Sequence, residues 1–528
     1  KKPLPFAQYS FGLSGGDLGY GRATADVSGP VNGDDRVLFR AIASWEQLDN
    51  TNDNDEERYS ILPSMSIRVN DSTTVTVDSE FYSERARGAG QAIPPTAEVL
   101  AGNLDDAPLG FNAANPDDKW SNWNVSAGVR LDSVLSARAA VHSAFRYTKI
   151  VSDNDYHVPF GLFPDNRTVL RFIVRGGTDW REYQSDTFFT YDIDTDSVDH
   201  RMVGGFEIGY STTDGETGFG PATPVDLFDP VYAPGPATTA LSFAADSDTR
   251  RYGAYIQDQI TFGDRFHILG ALRWSQVRNR NTVAGTDSDE EAWSPRVGLV
   301  YQIGERFSVY GSFSEGFEPA GPGAILEDGR PADPTRSESY EVGFKANLLR
   351  NRLSLTTAVY DLRRTNILES QPATGLFRQI GEGQSEGFEI DLVGSVTRNL
   401  EIRTGYAWNR TEITRDTAGF VGNEFINAPR HNYSLWGSYA FRQGPLSGLT
   451  LKAGGVYVSE RFADSANAAT VPSYIRYDAG VAYTLPNGLA LDLSVDNVTD
   501  VNYIQSGSNT AWNYGNERRI SLSASMQF

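Results

Sequence analysis

Five arginines stand beside apolar neighbours in alternating stretches: Arg40, Arg68, Arg130, Arg138 and Arg146 next to Phe39, Val69, Val129, Ala137 and Phe145. Guanidinium forks suit oxygen-rich partners, which they grip through paired hydrogen bonds. A row of them on one polar face could guide an anionic ligand, or it could balance nearby Asp and Glu. A second set is aromatic and falls in polar segments: Phe111, Trp120, Phe160, Phe163, Phe219, Phe228, Tyr232, Phe317, Tyr503, Trp512 and Tyr514. Rings of this kind cover a compact ligand at low rotamer cost. They also anchor loops and settle at lipid headgroup depth.

Catalytic patterns fail on their context. The stretch GQSEG (383–387) has the spacing of a nucleophile elbow, but it runs on into FEIDLVGS, a strand where that turn needs a helix. The five histidines, His142, His157, His200, His267 and His431, share no metal-binding spacing. DNTNDNDEE clusters oxygen ligands yet lacks the glycine and the terminal glutamate spacing of a calcium loop, so it reads as a solvated surface loop. No catalytic residue, metal ligand or cofactor is expected, and the chain does not read as an enzyme.

The elements that position these side chains follow from composition and pattern. A net charge of −22 over 528 residues, with pI near 4.7, argues against nucleic-acid binding, which needs a basic surface. There is no cysteine, hence no disulfide or thiolate site. Mean hydropathy is −0.40, and no apolar run approaches the roughly 18 residues of a membrane helix. Aromatics at 12% and 51 glycines fit a β-rich chain with tight turns and aromatic belts. KKPLPFAQYS, at the start, lacks the apolar core of a signal peptide.

Alternation with period two runs nearly everywhere. Ile520, Leu522, Ala524, Met526 and Phe528 share one face of the final stretch, with Ser521, Ser523, Ser525 and Gln527 on the other. RVLFRAIASWE, NWNVSAGVRLD, SYEVGFKANL, RLSLTTAVYD and GLALDLSVDN repeat the pattern. Short and long connections alternate between these segments. Ten read as tight turns: PVNGDD, VNDS, LDSV, DIDTDS, FGDR, IGER, LLRNR, TRNL, RQGPLSG and LPNG. About eleven read as longer polar loops, among them LDNTNDNDEE, 87–118, 151–166, the long segment after Tyr210, VRNRNTVAGTDSDEE, 316–337 and 501–516. This predicts an all-β fold: a transmembrane antiparallel β-barrel of about 22 strands, with short periplasmic turns, long extracellular loops and both termini on the turn side. Lipid would cover the apolar faces, and closure would leave no open edge.

DVSGPVNGDDRVLFRAIASWE, RRYGAYIQDQITFGDRFHILGALRW, WSPRVGLVYQIGERFSVYGSFSEGFEP, RSESYEVGFKANLLRNRLSLTTAVYDLRRTNIL, QIGEGQSEGFEIDLVGSVTRNLEIRTGYAW, NAPRHNYSLWGSY and DLSVDNVTDVNYI occur in that order along the chain. Together the sequence resembles the TonB-dependent outer-membrane receptors that import ferric siderophores. GPV, PRVGLVYQ, DLRRTNIL and the closing WNYGNERRI are similar to the hydroxamate (ferrichrome) type. The resemblance implies a Gram-negative outer-membrane receptor that binds a ferric siderophore. Its transport would be energised by TonB with ExbB and ExbD, through an amino-terminal plug inside the barrel. It further implies that Phe528 is a barrel-insertion signal and raises Trp512 and Tyr514 as ligand contacts in the last loop. The opening KKPL is similar to the end of the family's plug, so residues 1–528 are expected to be the barrel, with 1–5 a remnant of the plug–barrel linker and the plug absent. The expected surroundings are lipid and lipopolysaccharide around a monomer, with no nucleic acid. A passive porin-like channel, or a receptor for cobalamin or a saccharide, stands as the alternative.

Overall fold

The computed structural model describes residues 2–31, 33–50, 54–88, 92–100, 104, 111–233, 241–263, 265–283, 285–371, 376–508 and 511–528. A single antiparallel sheet of 22 strands closes on itself. Each barrel strand pairs with its neighbour in sequence, and the first, Gln8–Gly16, pairs with the last, Arg519–Gln527, from Ser10↔Gln527 to Gly16↔Ser521. At the seam the Tyr9 N–H donates to Phe528 O and the Phe528 N–H to Tyr9 O, at 3.2 and 2.8 Å. A strand ending on the last residue is therefore paired, and the sheet has no edge to protect.

Register sorts the two faces. Val77, Val129 and Phe145 face one another across three strands, and all three are exposed on the outer wall. An outer wall of this kind needs hydrocarbon to cover it. The inner wall carries the polar partners, such as Arg40 bonded to Asp26. The chain's first residues lie against it as well: Arg40 donates to Lys2 O at 2.9 Å and the Leu4 N–H to Ser28 Oγ at 2.9 Å.

Strand lengths depart from the expectation of uniform ten-residue crossings. Ala490–Asp496 has 7 residues, whereas Ala139–Leu162, Thr168–Asp194 and Val198–Asp226 have 24, 27 and 29. Since about 9–11 residues cross a bilayer, these three continue far beyond it on the loop side. Several stretches expected as long loops are thus strands. The segment 151–166 is strand to Leu162 followed by a tight turn, the segment after Tyr210 is strand to Asp226, and 277–291 holds two strands joined at a turn. In LDNTNDNDEE the strands run to Asn50 and from Asn54, and residues 51–53 lie outside the described set. Polar side chains on both faces are tolerated there because water replaces lipid. Gly176 permits the long strands to coil, for a Cβ on it would lie 1.9 Å from Glu216 O. One turn moves too: the connection expected at LDSV sits at residues 137–138, because the strand Lys119–Ser136 continues through it.

A buried apolar cluster lies on the loop side of the barrel. Ile93, Val99, Leu104, Phe111, Ala113, Val169, Val225, Leu227, Ala463, Val471, Ile504 and Trp512 form one cluster, with Leu162, Tyr232, Ala469 and Tyr514 packed against it. A three-stranded sheet ties it together: Ala92–Ile93 pairs with Trp512–Tyr514, which pairs with Ile504–Gly507. Segments from opposite ends of the sequence meet here, and burial of their side chains holds the outer loops in one body.

Candidate functional site

On the lumen wall Arg40, Arg130 and Arg146 are each paired with a carboxylate. Arg40 grips both oxygens of Asp26 at 2.8 and 2.6 Å in a buried fork. Arg130 meets Asp132 at 3.1 Å, Arg146 meets Asp78 and donates to Ser126 Oγ at 2.9 Å, and Arg68 meets Asp35 at 3.3 Å near a turn. Arg138 corrects the expectation of a fifth lumenal arginine. It occupies the tight turn at 137–138, exposed, because alternation stops where the strand does. Arg273 with Glu207 at 2.9 Å and Tyr255 with Asp186 at 2.9 Å extend the same pattern. The arginines therefore sit in ion pairs that neutralise lumenal acids.

Carboxylates are left over. Glu341 accepts from the Tyr310 hydroxyl at 2.6 Å, yet neither it nor Glu389 nor Asp391 enters an ion pair among the described residues. Each of these acids offers an anionic contact to a cationic partner. Sequence reasoning missed these three because it followed the arginines. The signal was there, in Glu341 beside the apolar Tyr340 and Val342 and in the alternating acids of GFEIDL.

The aromatic candidates divide by burial. Trp512, Phe111 and Tyr503 are enclosed. The Trp512 indole N–H donates to Ser508 O at 3.0 Å, and the Tyr503 hydroxyl accepts from Arg476 at 3.2 Å while its ring lies 4.4 Å from Tyr474. Tyr514 packs against the loop core, and burial pushes its phenol well above the ordinary range. Trp512 and Tyr514 both hold the last loop in this conformation, Trp512 inside the buried cluster and Tyr514 against it. Tyr232 donates to Asn112 O at 2.8 Å, Phe160 pairs with Phe172 at 4.5 Å, and Phe317 lies under Arg336 at 5.8 Å. Trp120 is half-buried in its strand. Phe163, Phe219 and Phe228 are exposed, and Phe228 carries Arg167 over its ring at 5.6 Å.

One cavity on the loop side combines these features. It has a volume of about 740 Å³, lined by Asp117, Asp118, Asp155, His157, Arg175 and Tyr232 with Ile173 and Val231. The buried His157 holds its Nδ1 2.9 Å from Asp118 Oδ1, and its backbone N–H donates to Oδ2 at 2.6 Å. Asp155 and Arg175 pair at 3.0 Å on the wall. Beneath lies Arg171, wholly buried, donating to Thr223 O, Ala113 O and Asn115 Oδ1 at 2.7 to 3.0 Å with Tyr232 stacked on it at 5.6 Å. An open space of this size with a few fixed polar groups suits a bulky, oxygen-rich small molecule. Ser385 lies within the strand Leu376–Ser395, not at a strand-to-helix turn, and donates to Asn409 Oδ1 at 2.7 Å.

The profile described as TonB dependent receptor-like, beta-barrel, matches residues 44–498. The chain is 27% identical over 542 residues to the ferrioxamine B receptor of Salmonella typhimurium, covering 100% of this chain and 76% of that one. It is 28% identical over 513 residues to the ferrichrome outer membrane transporter/phage receptor of Escherichia coli, covering 90% and 68%. Among solved structures, the siderophore receptor PiuA from Acinetobacter baumannii superposes with a TM-score of 0.89 at 20% identity, over 100% of this chain and 82% of that one.

Proposed function

Because the chain belongs to the TonB-dependent receptor-like β-barrel family, we propose that it captures a ferric siderophore at the outer membrane for uptake energised through TonB, with ExbB and ExbD. The hydroxamate class is favoured by the relatives named for ferrioxamine B and ferrichrome. The observation that carries the reading is the cavity of about 740 Å³ on the loop side, held by Arg171 and walled by Asp155 and Arg175. The exposed Phe163 and Phe228 supply apolar cover at the surface. A plug in the lumen, which the family resemblance implies, would find its cationic contacts at Glu341, Glu389 and Asp391. The receptor would act as a monomer surrounded by lipid and lipopolysaccharide.

Equilibrium binding of ferric hydroxamates, ferric catecholates and cobalamin to the purified receptor tests the proposal. Saturable binding of a ferric hydroxamate is the expected result, and failure of every iron complex to bind would sink it. Arg175→Ala should weaken that binding about tenfold, roughly 1.4 kcal/mol, because Asp155 then faces the ligand without its counter-charge.

The family resemblance also assigns Phe528 to barrel insertion. Phe528→Ala is expected to reduce the heat-modifiable, folded fraction in outer membranes while the folded remainder melts as before. Its backbone bonds to Tyr9 do not depend on the ring. An unchanged folded yield would remove the role.

A further inference from the structure

The turn-side rim carries charge that the uptake reading does not use. Five consecutive connections, at residues 263–265, 304–306, 349–352, 396–399 and 441–448, join neighbouring strands along one arc of the barrel. They hold Arg265, Arg306, Arg350, Arg352, Arg398 and Arg442, every one exposed. None of the six enters an ion pair among the described residues, in contrast to Arg40, Arg130 and Arg146. The acids within these connections are Glu305 and Asp264, the latter outside the described residues. The other turn-side connections, at 32–33, 71–72, 137–138, 195–197 and 485–489, carry Asp71 and Asp196 with a single arginine, Arg138. Positive charge is thus gathered on one arc of the rim.

Register fixes which way this charge faces. Arg265 O, Arg306 O and Arg352 O accept from the N–H groups of Gln302, Asn347 and Ser395 at 2.8, 2.8 and 2.7 Å. Each arginine is therefore still in the ladder, one residue before Phe266, Phe307 and Leu353. Phe266 and Phe307 are exposed on the outer wall, as is Val359 on the face that Leu353 shares, so alternation puts the three arginines on the lumenal face. Their partners across the ladder, Gln302, Asn347 and Ser395, bring no counter-charge. Two guanidinium groups are also pinned: Arg352 Nε donates to Leu349 O at 3.1 Å, and Arg442 Nε to Arg398 O at 2.9 Å. The second bond ties two neighbouring turns of like charge together and leaves the Nη donors of Arg442 for another acceptor. Strands about 4.8 Å apart set successive turns roughly 10 Å from one another, so the arc extends for about 40 Å. Lipid headgroups meet the opposite, outer face of the wall, and a small anion would reach one turn alone. An extended polypeptide covers about 40 Å in roughly 12 residues, and its carboxylates fit guanidinium forks.

We propose that this arc docks an extended acidic segment of a second protein, about a dozen residues rich in Asp and Glu, at the turn-side opening of the barrel. Charge of one sign gathered along a rim raises the local concentration of such a partner. The full-length receptor in neutral detergent is titrated into a fluorescein-labelled poly-glutamate peptide of about twelve residues, with anisotropy as the readout. Saturable binding is the expected result. Arg306→Gln, Arg352→Gln and Arg442→Gln together should weaken it about tenfold or more, through the loss of three charge-assisted contacts. Lysine at the same three positions should restore most of the affinity, because the charge is kept. Arg36→Gln, Arg138→Gln and Arg201→Gln together remove equal charge at the other turns and should leave binding within about twofold of wild type. No binding by wild type, equal weakening in the two glutamine triples, or displacement of the peptide by phosphatidylglycerol as readily as by unlabelled poly-glutamate would each overturn the assignment. Heat-modifiable migration reports whether each variant has folded, and Arg442→Gln alone carries the comparison if the triple does not fold.

Discussion

Replacing Arg171 with methionine is expected to release the loops at the cavity while the barrel stays closed. Its guanidinium, wholly buried, supplies the donors for Thr223 O, Ala113 O and Asn115 Oδ1, joining two strands to the segment that precedes Lys119. Methionine fills much of the volume but leaves those acceptors enclosed without donors, at about 1–3 kcal/mol each. A local loss of at least ~3 kcal/mol corresponds to roughly a hundredfold faster amide exchange. Hydrogen exchange should rise by that factor over 111–118 and 223–233 and stay unchanged in the strand Arg519–Gln527. Arg171→Lys should recover only part of the protection, because a single ammonium cannot reproduce the fork. Unchanged exchange in the methionine variant would mean that the apolar cluster holds these loops unaided.

Trp512→Ala should disorder the other half of the loop body. The indole is completely enclosed, pairs in register with Ile93 and lies over Gly507, where a Cβ would be 3.1 Å from Cε2. Truncating a buried Trp costs about 3–5 kcal/mol, and here the loss falls on the small sheet linking Ala92–Ile93, Ile504–Gly507 and Trp512–Tyr514. Exchange should accelerate in all three segments and in 461–471, with the barrel's melting temperature unchanged. Siderophore affinity should fall with the loss of order, and Trp512→Phe should restore most of both. Weakened binding with fully protected loops would show instead that Trp512 touches the ligand, and its assignment to the loop core would be wrong.

The chain's alternation by itself determined that the fold is a closed barrel. Period-two patterning and turn chemistry are local properties: ten tight turns alternating with eleven loop-side connections require 22 strands, and the sheet has that number. The polar inner face was equally legible, because lipid imposes one sign on the outer face and closure does the rest. Strand ends were not. Once a strand leaves the bilayer both faces are wet, so the apolar signal fades while pairing continues, as in Val198–Asp226. Some site residues were legible by type, while Arg171 was not, and the partners of none could be read. Arg146 looks free in sequence, but its carboxylate is Asp78, 68 residues away, and Arg171 meets Asn115 at a separation of 56. Trp512 resembles a ligand contact because it stands in a polar loop, and only the folded arrangement brings Ile93, Ala463 and Val471 around it. Tertiary structure decided these matters because ion pairing and burial depend on which strands and loops become neighbours, whereas alternation records only which solvent each face meets.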